Sequence, residues 1–173
     1  MSIHIIIDGY NLIRQSNTFS IIDRQDLQLG REALLQALIS YQKIKRHKIT
    51  VVFDGANASA YSQRNNRVQG ITVKFSRSGE VADAVIKRMV SREKEKALVV
   101  SSDLEIVNFA TTRGAATISS AEFEEKISQA LLMEIKGVES KEGSGWVPTT
   151  KKKGPSKRLP KKKRRNRTKI LKL

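Results

Sequence analysis

Hydrophobic and polar positions follow two rhythms along this chain. Short apolar runs dominate at three places: Ile3 to Ile7, broken only by His4; Ile49-Thr50-Val51-Val52-Phe53; and Ala97-Leu98-Val99-Val100. Such runs, rich in β-branched residues and closed by a turn signal, read as strands buried on both faces. Between them the apolar positions recur at helical spacing. Leu34, Leu38 and Tyr41, with Leu35, Ile39 and Ile44 beside them, predict a helix from about Leu27 to Lys45. Asp26 is its N-cap, and Arg46-His47-Lys48 closes it where positive charge suits the dipole. Val81, Ala82, Val85, Ile86, Met89 and Val90 predict a second helix opened by Glu80 and running to about Glu95. A short helix from about Leu104 to Arg113 stops at Gly114, and the peripheral strand Ala115–Ile118 follows. Ser119 or Ser120 caps a last helix to about Lys136, whose first turns carry Glu122, Glu124 and Glu125. Ile71–Phe75 alternates as an edge strand does. Residues 12–26 read as irregular, and 55–70 as a loop with room for one helical turn. Strands alternating with helices make this an α/β fold, a twisted, mainly parallel sheet of about five strands between helices.

The charge distribution divides the chain. Residues 151–173 hold thirteen Lys and Arg and no acid, whereas the other 150 hold twenty basic and seventeen acidic groups. Of the net +16, the tail supplies +13 and the remainder +3. The expected organisation is a folded domain over 1–136, a Gly- and Ser-containing linker over 137–150 and a basic tail over 151–173. Trp146, in the linker, is placed to dock back on the domain. Pro160 suits the first position of a short basic helix, but the tail is expected to be disordered without a partner. A tail of unopposed cations seeks polyanions, so Lys151, Lys152, Lys153, Lys161, Lys162, Lys163, Arg164, Arg165 and Arg167 are candidate contacts to nucleic acid. There is no cysteine, which excludes disulfides, thiolate metal sites and a cysteine nucleophile. The two histidines, His4 and His47, are far apart and suggest no histidine metal site. No signal peptide or membrane span is legible, so a cytoplasmic protein is expected.

The chemistry concentrates where the apolar runs end. The first runs into Asp8-Gly9, the second into Asp54-Gly55, and the third through Ser101-Ser102 into Asp103. One aspartate after a strand is ordinarily a turn or cap residue. Three such ends converge on the carboxyl edge of a parallel sheet, where ligands bind. Glu80 and Asp83, three apart at the start of a helix, add two acids to the same edge. The candidate cluster is therefore Asp8, Asp54, Asp83 and Asp103, supported by Asn11, Glu80 and Ser102, with Asp8, Asp83 and Asp103 as metal ligands. Carboxylates so close repel, and a hard divalent cation removes the repulsion. An all-oxygen set suits Mg2+ or Mn2+ and not zinc. An aspartyl-phosphate phosphatase places a second acid two residues after the first; Tyr10 stands there. No G-x-G-x-x-G follows the first strand, which argues against a Rossmann-type binder.

The segments IIIDGYNLI, VVFDGA, FSRSGEVADAVIKRMV, VVSSDLEI and RGAATISSAEF, in this order, resemble the NYN-domain nucleases of the YacP-like family within the PIN-like superfamily. The resemblance covers about residues 3–136. It implies a PIN-like α/β fold and divalent-metal-dependent RNA cleavage at an acidic site. It assigns Asp8 and Asn11 from the DGYN segment, Asp54 from FDG, Asp83 from the GE-x-AD segment and Asp103 from SSD. Some relatives are ribosome-associated endoribonucleases, so RNA and the ribosome are the implied partners. Relatives often carry a second acid directly after the Ala-Asp pair, where this chain has Ala84. The competing reading is a catalytically silent RNA- or ribosome-binding protein that works through its basic tail.

Overall fold

The isoleucine-rich run becomes β1 (His4–Asp8), every residue of which is buried. In the computed structural model, which describes residues 3–55, 65–135 and 160–173, β1 lies between two parallel partners. They are β2 (Lys48–Phe53) on one edge and, on the other, the strand Ala97–Val100. A hairpin of β3 (Asn65–Val68) and β4 (Ile71–Phe75) extends the sheet beyond β2. The strand Ala97–Val100 is β5, and β6 (Ala116–Ile118) extends the sheet beyond it. The order among the described residues is β3-β4-β2-β1-β5-β6, with β3 alone antiparallel to its neighbour.

Successive strand residues face opposite sides, so a strand covered on both sides must be apolar throughout. Ile5, Ile7, Val51, Phe53 and Val100 face α1 (Gly9–Gln15), α2 (Asn17–Gln25), α3 (Leu27–Lys45) and one further helix. Leu12, Leu34, Leu38 and Tyr41 meet them there. Ile6, Val52 and Val99 face the other way, onto Val85, Ile86, Met89 and Val90 of α4 (Ala82–Glu93) and Ile106 and Ala110 of α5 (Leu104–Thr112). The further helix is α6 (Ser120–Ile135), which brings Phe123 and Ile127 to the first face. Each fully buried aliphatic side chain contributes about 1.5–3 kcal/mol. The chain leaves β1 toward β2 and leaves β5 toward β6, in opposite directions across the sheet. The carboxyl ends of β1 and β5 therefore border the crevice that forms where strand order reverses.

Several expectations are met closely. Helix α3 has the predicted bounds, and Asp26 caps it by accepting from the Gln28 and Leu29 N–H groups at 2.6 and 3.2 Å. Others are corrected. Residues 12–26 are helical: α1 and α2 meet at the buried Ser16, whose Oγ accepts from Thr18 and Phe19 N–H. The polar stretch 55–70 ends in β3, so β4 is an interior strand and the described sheet has six strands. Glu80 does not open α4, which begins at Ala82 behind the N-cap Val81. The glycines after Asp8 and Asp54 are required by space rather than by the sign of φ. A Cβ on Gly9 would lie 2.3 Å from the Phe53 ring, and one on Gly55 would lie 2.0 Å from the Ser76 carbonyl oxygen.

The largest correction concerns the tail. Residues 161–170 form α7 (Lys161–Ile170), packed against β6. Asn166 donates to the Thr117 carbonyl at 3.2 Å and accepts from the Thr117 N–H at 2.8 Å. Those are the two backbone groups that β6 would otherwise leave open on its outer edge. Lys169 donates to the carbonyls of Glu95 and Ala97, and Arg165 pairs with Glu95. Leu173 is buried, and its carbonyl accepts from the Tyr41 hydroxyl at 3.1 Å. The partner that orders this segment is the domain itself. Lys151, Lys152, Lys153 and the linker with Trp146 lie outside the described residues. No described helix is long and apolar enough to cross a membrane.

Asn166→Ala leaves two strand-edge groups without their partner. It is expected to cost about 1–2 kcal/mol, read as a lower urea midpoint, while the exposed Thr168→Ala on the same helix leaves the midpoint within about 0.5 kcal/mol.

Candidate active site at the carboxyl edge of the sheet

Asp8 is the last residue of β1 and the N-cap of α1. Its carboxylate accepts from the Asn11 N–H at 3.2 Å and from the Ser101 hydroxyl at 3.4 Å. It is only 8% exposed. Burial pushes its pKa up to about 6, and the charges of Asp83 and Asp103 push the same way, against the bonds from Asn11 and Ser101. Asp83 lies in the first turn of α4. Its pKa is raised too, first by burial and then by Asp103, while Lys87 opposes. Asp103 caps α5, accepting from the Glu105 and Ile106 N–H groups at 2.7 and 3.4 Å. Asp54 leaves β2, and its Oδ1 accepts from the Ser76 hydroxyl at 3.3 Å.

Together these four aspartates line one cavity of about 410 Å³, with Tyr10, Asn11, Arg14, Gln15, Val81 and Ala82. They come from two strand exits, the turn after β5 and the start of α4, as the sequence pattern implied. Among the described residues, no three acids stand close enough to bind one ion directly together. The donor set is all oxygen, and its most buried member, Asp8, resists ionisation. Such a set fits a divalent ion held by one or two carboxylates with water completing its shell, the habit of Mg2+. Asp8 and Asp103 already cap helices, so each meets such an ion with an orientation fixed by the backbone.

Asn11 is held by two bonds to its Oδ1, from the Ser102 N–H at 2.9 Å and the Ser120 hydroxyl at 2.7 Å. Its NH2 is thereby the end presented away from that pair. Ser102 is a scaffold residue: its N–H holds Asn11, and its hydroxyl accepts from the Ser120 N–H at 3.2 Å. Glu80 is not brought to the cavity. Its carboxylate accepts from the Arg77 N–H and pairs with Arg88 at 2.8 Å, and those contacts hold its pKa below the usual range. Lys87 pairs with Glu105. His4 is structural, bonded to Thr50 at 2.9 Å and facing Glu93 at 3.4 Å beneath α4.

Sequence reasoning missed three contributors. Ser76 is buried and ties Asp54 to Gly55, whose N–H donates to its hydroxyl at 2.9 Å. Ser101 links Asp8 to the Asp103 N–H at 3.1 Å. Arg14 is an exposed cation on the cavity wall. Its signal was its position, three residues after Asn11 and hence one helical turn along the same face. That signal was invisible while 12–26 read as irregular.

A mainly parallel α/β sheet of this order, with acids at its strand exits, is a PIN-like, nuclease-type fold. The chain belongs to the YacP-like NYN domain family, whose pattern matches residues 5–172 and so includes α7. A segment of 87 residues is 28% identical to the uncharacterized protein YacP of Bacillus subtilis (strain 168). That segment covers 49% of this chain and 49% of YacP, so the match spans about half of that curated relative. A crystal structure of Rae1 (YacP) from Bacillus subtilis is 23% identical, with a TM-score of 0.65 over 80% of each chain. A crystal structure of a mutant of the same protein is 21% identical, with a TM-score of 0.63, and the match covers 81% of this chain and 87% of that one.

Because the folded pKa of Asp8 lies above that of an unfolded aspartate, the folded state binds the extra proton between the two values. Its stability therefore falls as pH rises from about 4 to about 6. Asp8→Asn keeps a capping oxygen without the charge. It is expected to stabilise the metal-free protein at pH 8 by about 1–3 kcal/mol, a gain that vanishes below about pH 4; urea melts across that range check it.

Proposed function

We propose that this chain is a divalent-metal-dependent endoribonuclease that hydrolyses RNA phosphodiester bonds in the Asp8 crevice. Mg2+ or Mn2+ is its cofactor, ribosome-bound mRNA its candidate substrate and the cytoplasm its compartment. The observation that carries the reading is the crowding of Asp8, Asp83 and Asp103, in which each of the first two resists ionisation because of burial and its acidic neighbours. A divalent ion held directly by one or two of Asp8, Asp83 and Asp103, with water completing its shell, would lower the pKa of that water and neutralise charge on the leaving oxygen.

The chain's own groups do the rest. Asn11, pinned through its oxygen by Ser102 and Ser120, offers its NH2 to a phosphate oxygen. Asp54, oriented by Ser76, accepts a proton from the attacking water. Val81 and Ala82 form an apolar patch of the cavity wall. The nuclease-type fold of the family supports a nuclease-like role.

A second reading has one observation in its favour: among the described residues no three acids form a direct ligand set. On that reading the protein binds RNA or the ribosome through its cations without cutting.

Cleavage assays on free RNA and on ribosome-bound mRNA, in Mg2+ or Mn2+, separate the two. The wild type is expected to cut. EDTA, and the double substitution Asp8→Asn/Asp83→Asn, are each expected to reduce the rate by about 10²–10⁴-fold with the fold retained by circular dichroism. Cutting that survives the double substitution removes these residues from the site. Binding without cutting, weakened by replacing the exposed Arg164 and Arg167 with Gln, selects the second reading.

A further inference from the structure

A site built of four carboxylates attracts a metal ion and repels the polyanion it is to cut. Something in the crevice must offset that repulsion before chemistry begins. Two helix N-termini at this edge are unavailable for the task, because Asp8 caps α1 and Asp103 caps α5. Lys87 is tied to Glu105, and Arg31 is buried beneath Tyr10 and bonded to Gln28. Among the described residues lining the cavity, Arg14 is the one cation.

Arg14 is also held unusually for a cation beside acids. Among the described residues it forms no ion pair, although four aspartates line the same cavity. Its guanidinium instead lies over the Tyr10 ring, 5.5 Å from the ring centroid. Tyr10 is buried, set edge-on against Phe53 at 5.3 Å, and its hydroxyl accepts from Arg31. The platform is therefore fixed by the core. A guanidinium resting on an aromatic face keeps its N–H fork in the ring plane's neighbourhood, free to meet a phosphate with two parallel bonds. Tyr10, Asn11 and Arg14 share one face of α1, so the cation stands one helical turn from the pinned amide.

We propose that Arg14 is the substrate-anchoring cation of this site: its guanidinium takes a backbone phosphate of the nucleic-acid strand and holds that strand against the acidic crevice. The inference rests on the nuclease reading above and adds to it the group that binds the substrate. It is a binding role, so its signature falls on KM and not on kcat.

The test is steady-state cleavage of a single-stranded RNA oligonucleotide by the full chain in Mg2+, comparing wild type, Arg14→Ala and Arg14→Lys. Arg14→Ala is expected to raise KM about tenfold with kcat within about twofold. The logarithmic salt slope of kcat/KM is expected to fall by about one unit, the loss of one phosphate contact. Arg14→Lys keeps the charge without the fork and restores the slope but only part of KM. The side chain is exposed, so melting temperatures are expected to agree. A wild type that cuts, beside an Arg14→Ala variant with unchanged KM and salt slope, overturns the proposal and leaves the nuclease reading standing. A loss confined to kcat overturns it too. If the wild type binds the oligonucleotide without cutting, fluorescence anisotropy decides by the same tenfold and one-unit criteria. A wild type that neither cuts nor binds ends both readings together.

Discussion

Enclosure of β1 on both faces and both edges is the constraint from which the rest follows. Ile5 and Ile7 are locked against one helical layer, Ile6 against the other, and β2 and β5 take the backbone bonds on either side. The strand has no freedom to slide or tilt, so Asp8 emerges at a fixed point with most of its surface already out of water. A carboxylate there is costly, and capping α1 recovers only part of the cost. The same enclosure sets the neighbours. β5 delivers Ser101 and Asp103 beside Asp8 because its register against β1 runs from Ala97 opposite His4 to Val100 opposite Ile7.

What could be read from sequence was what repetition made plain. Strands ending in Asp, and helices with wide apolar stripes such as α3 and α4, announce themselves because burial demands apolar residues at fixed spacing. The parts that stayed hidden obey local rules instead. Helices α1 and α2 are short and mostly polar outside Leu12, Ile13, Phe19, Ile21 and Ile22, and the signal that divides them is a single serine. β3, with Asn65, Asn66 and Arg67, reads as loop because its pairing comes from the hairpin and not from burial. Glu80 looked like a partner of Asp83 on spacing alone. Its placement before the first turn of α4, where Arg77 and Arg88 engage it, depends on where the helix starts. The tail misled because charge composition says nothing about one asparagine matched to one strand edge.

The acids were legible, but the groups that aim them were not. Ser76, Ser101 and Ser120 each use a hydroxyl that gives one hydrogen bond to a site group, and the first two also accept one from the backbone. Serine suits that work because its oxygen is small, neutral and able to do both at once. A charged residue in those places would add to the repulsion or pair with the acids and remove them. Serines scattered among turns carry no sequence signature of such a task, and only the fold brings them beneath the carboxylates.

Helix α7 has a consequence for how the molecule meets a field. Its C-terminal half reaches the amino ends of the strands: Lys169 touches Ala97 at the start of β5, and the Lys172 carbonyl faces His47 just before β2. The aspartates occupy the opposite, carboxyl end of the same strands. Docking these cations there separates their positive charge from the aspartates along the length of the strands and sets up a charge dipole in that direction. An external electric field would exert a torque on that dipole and turn one pole toward the field's source.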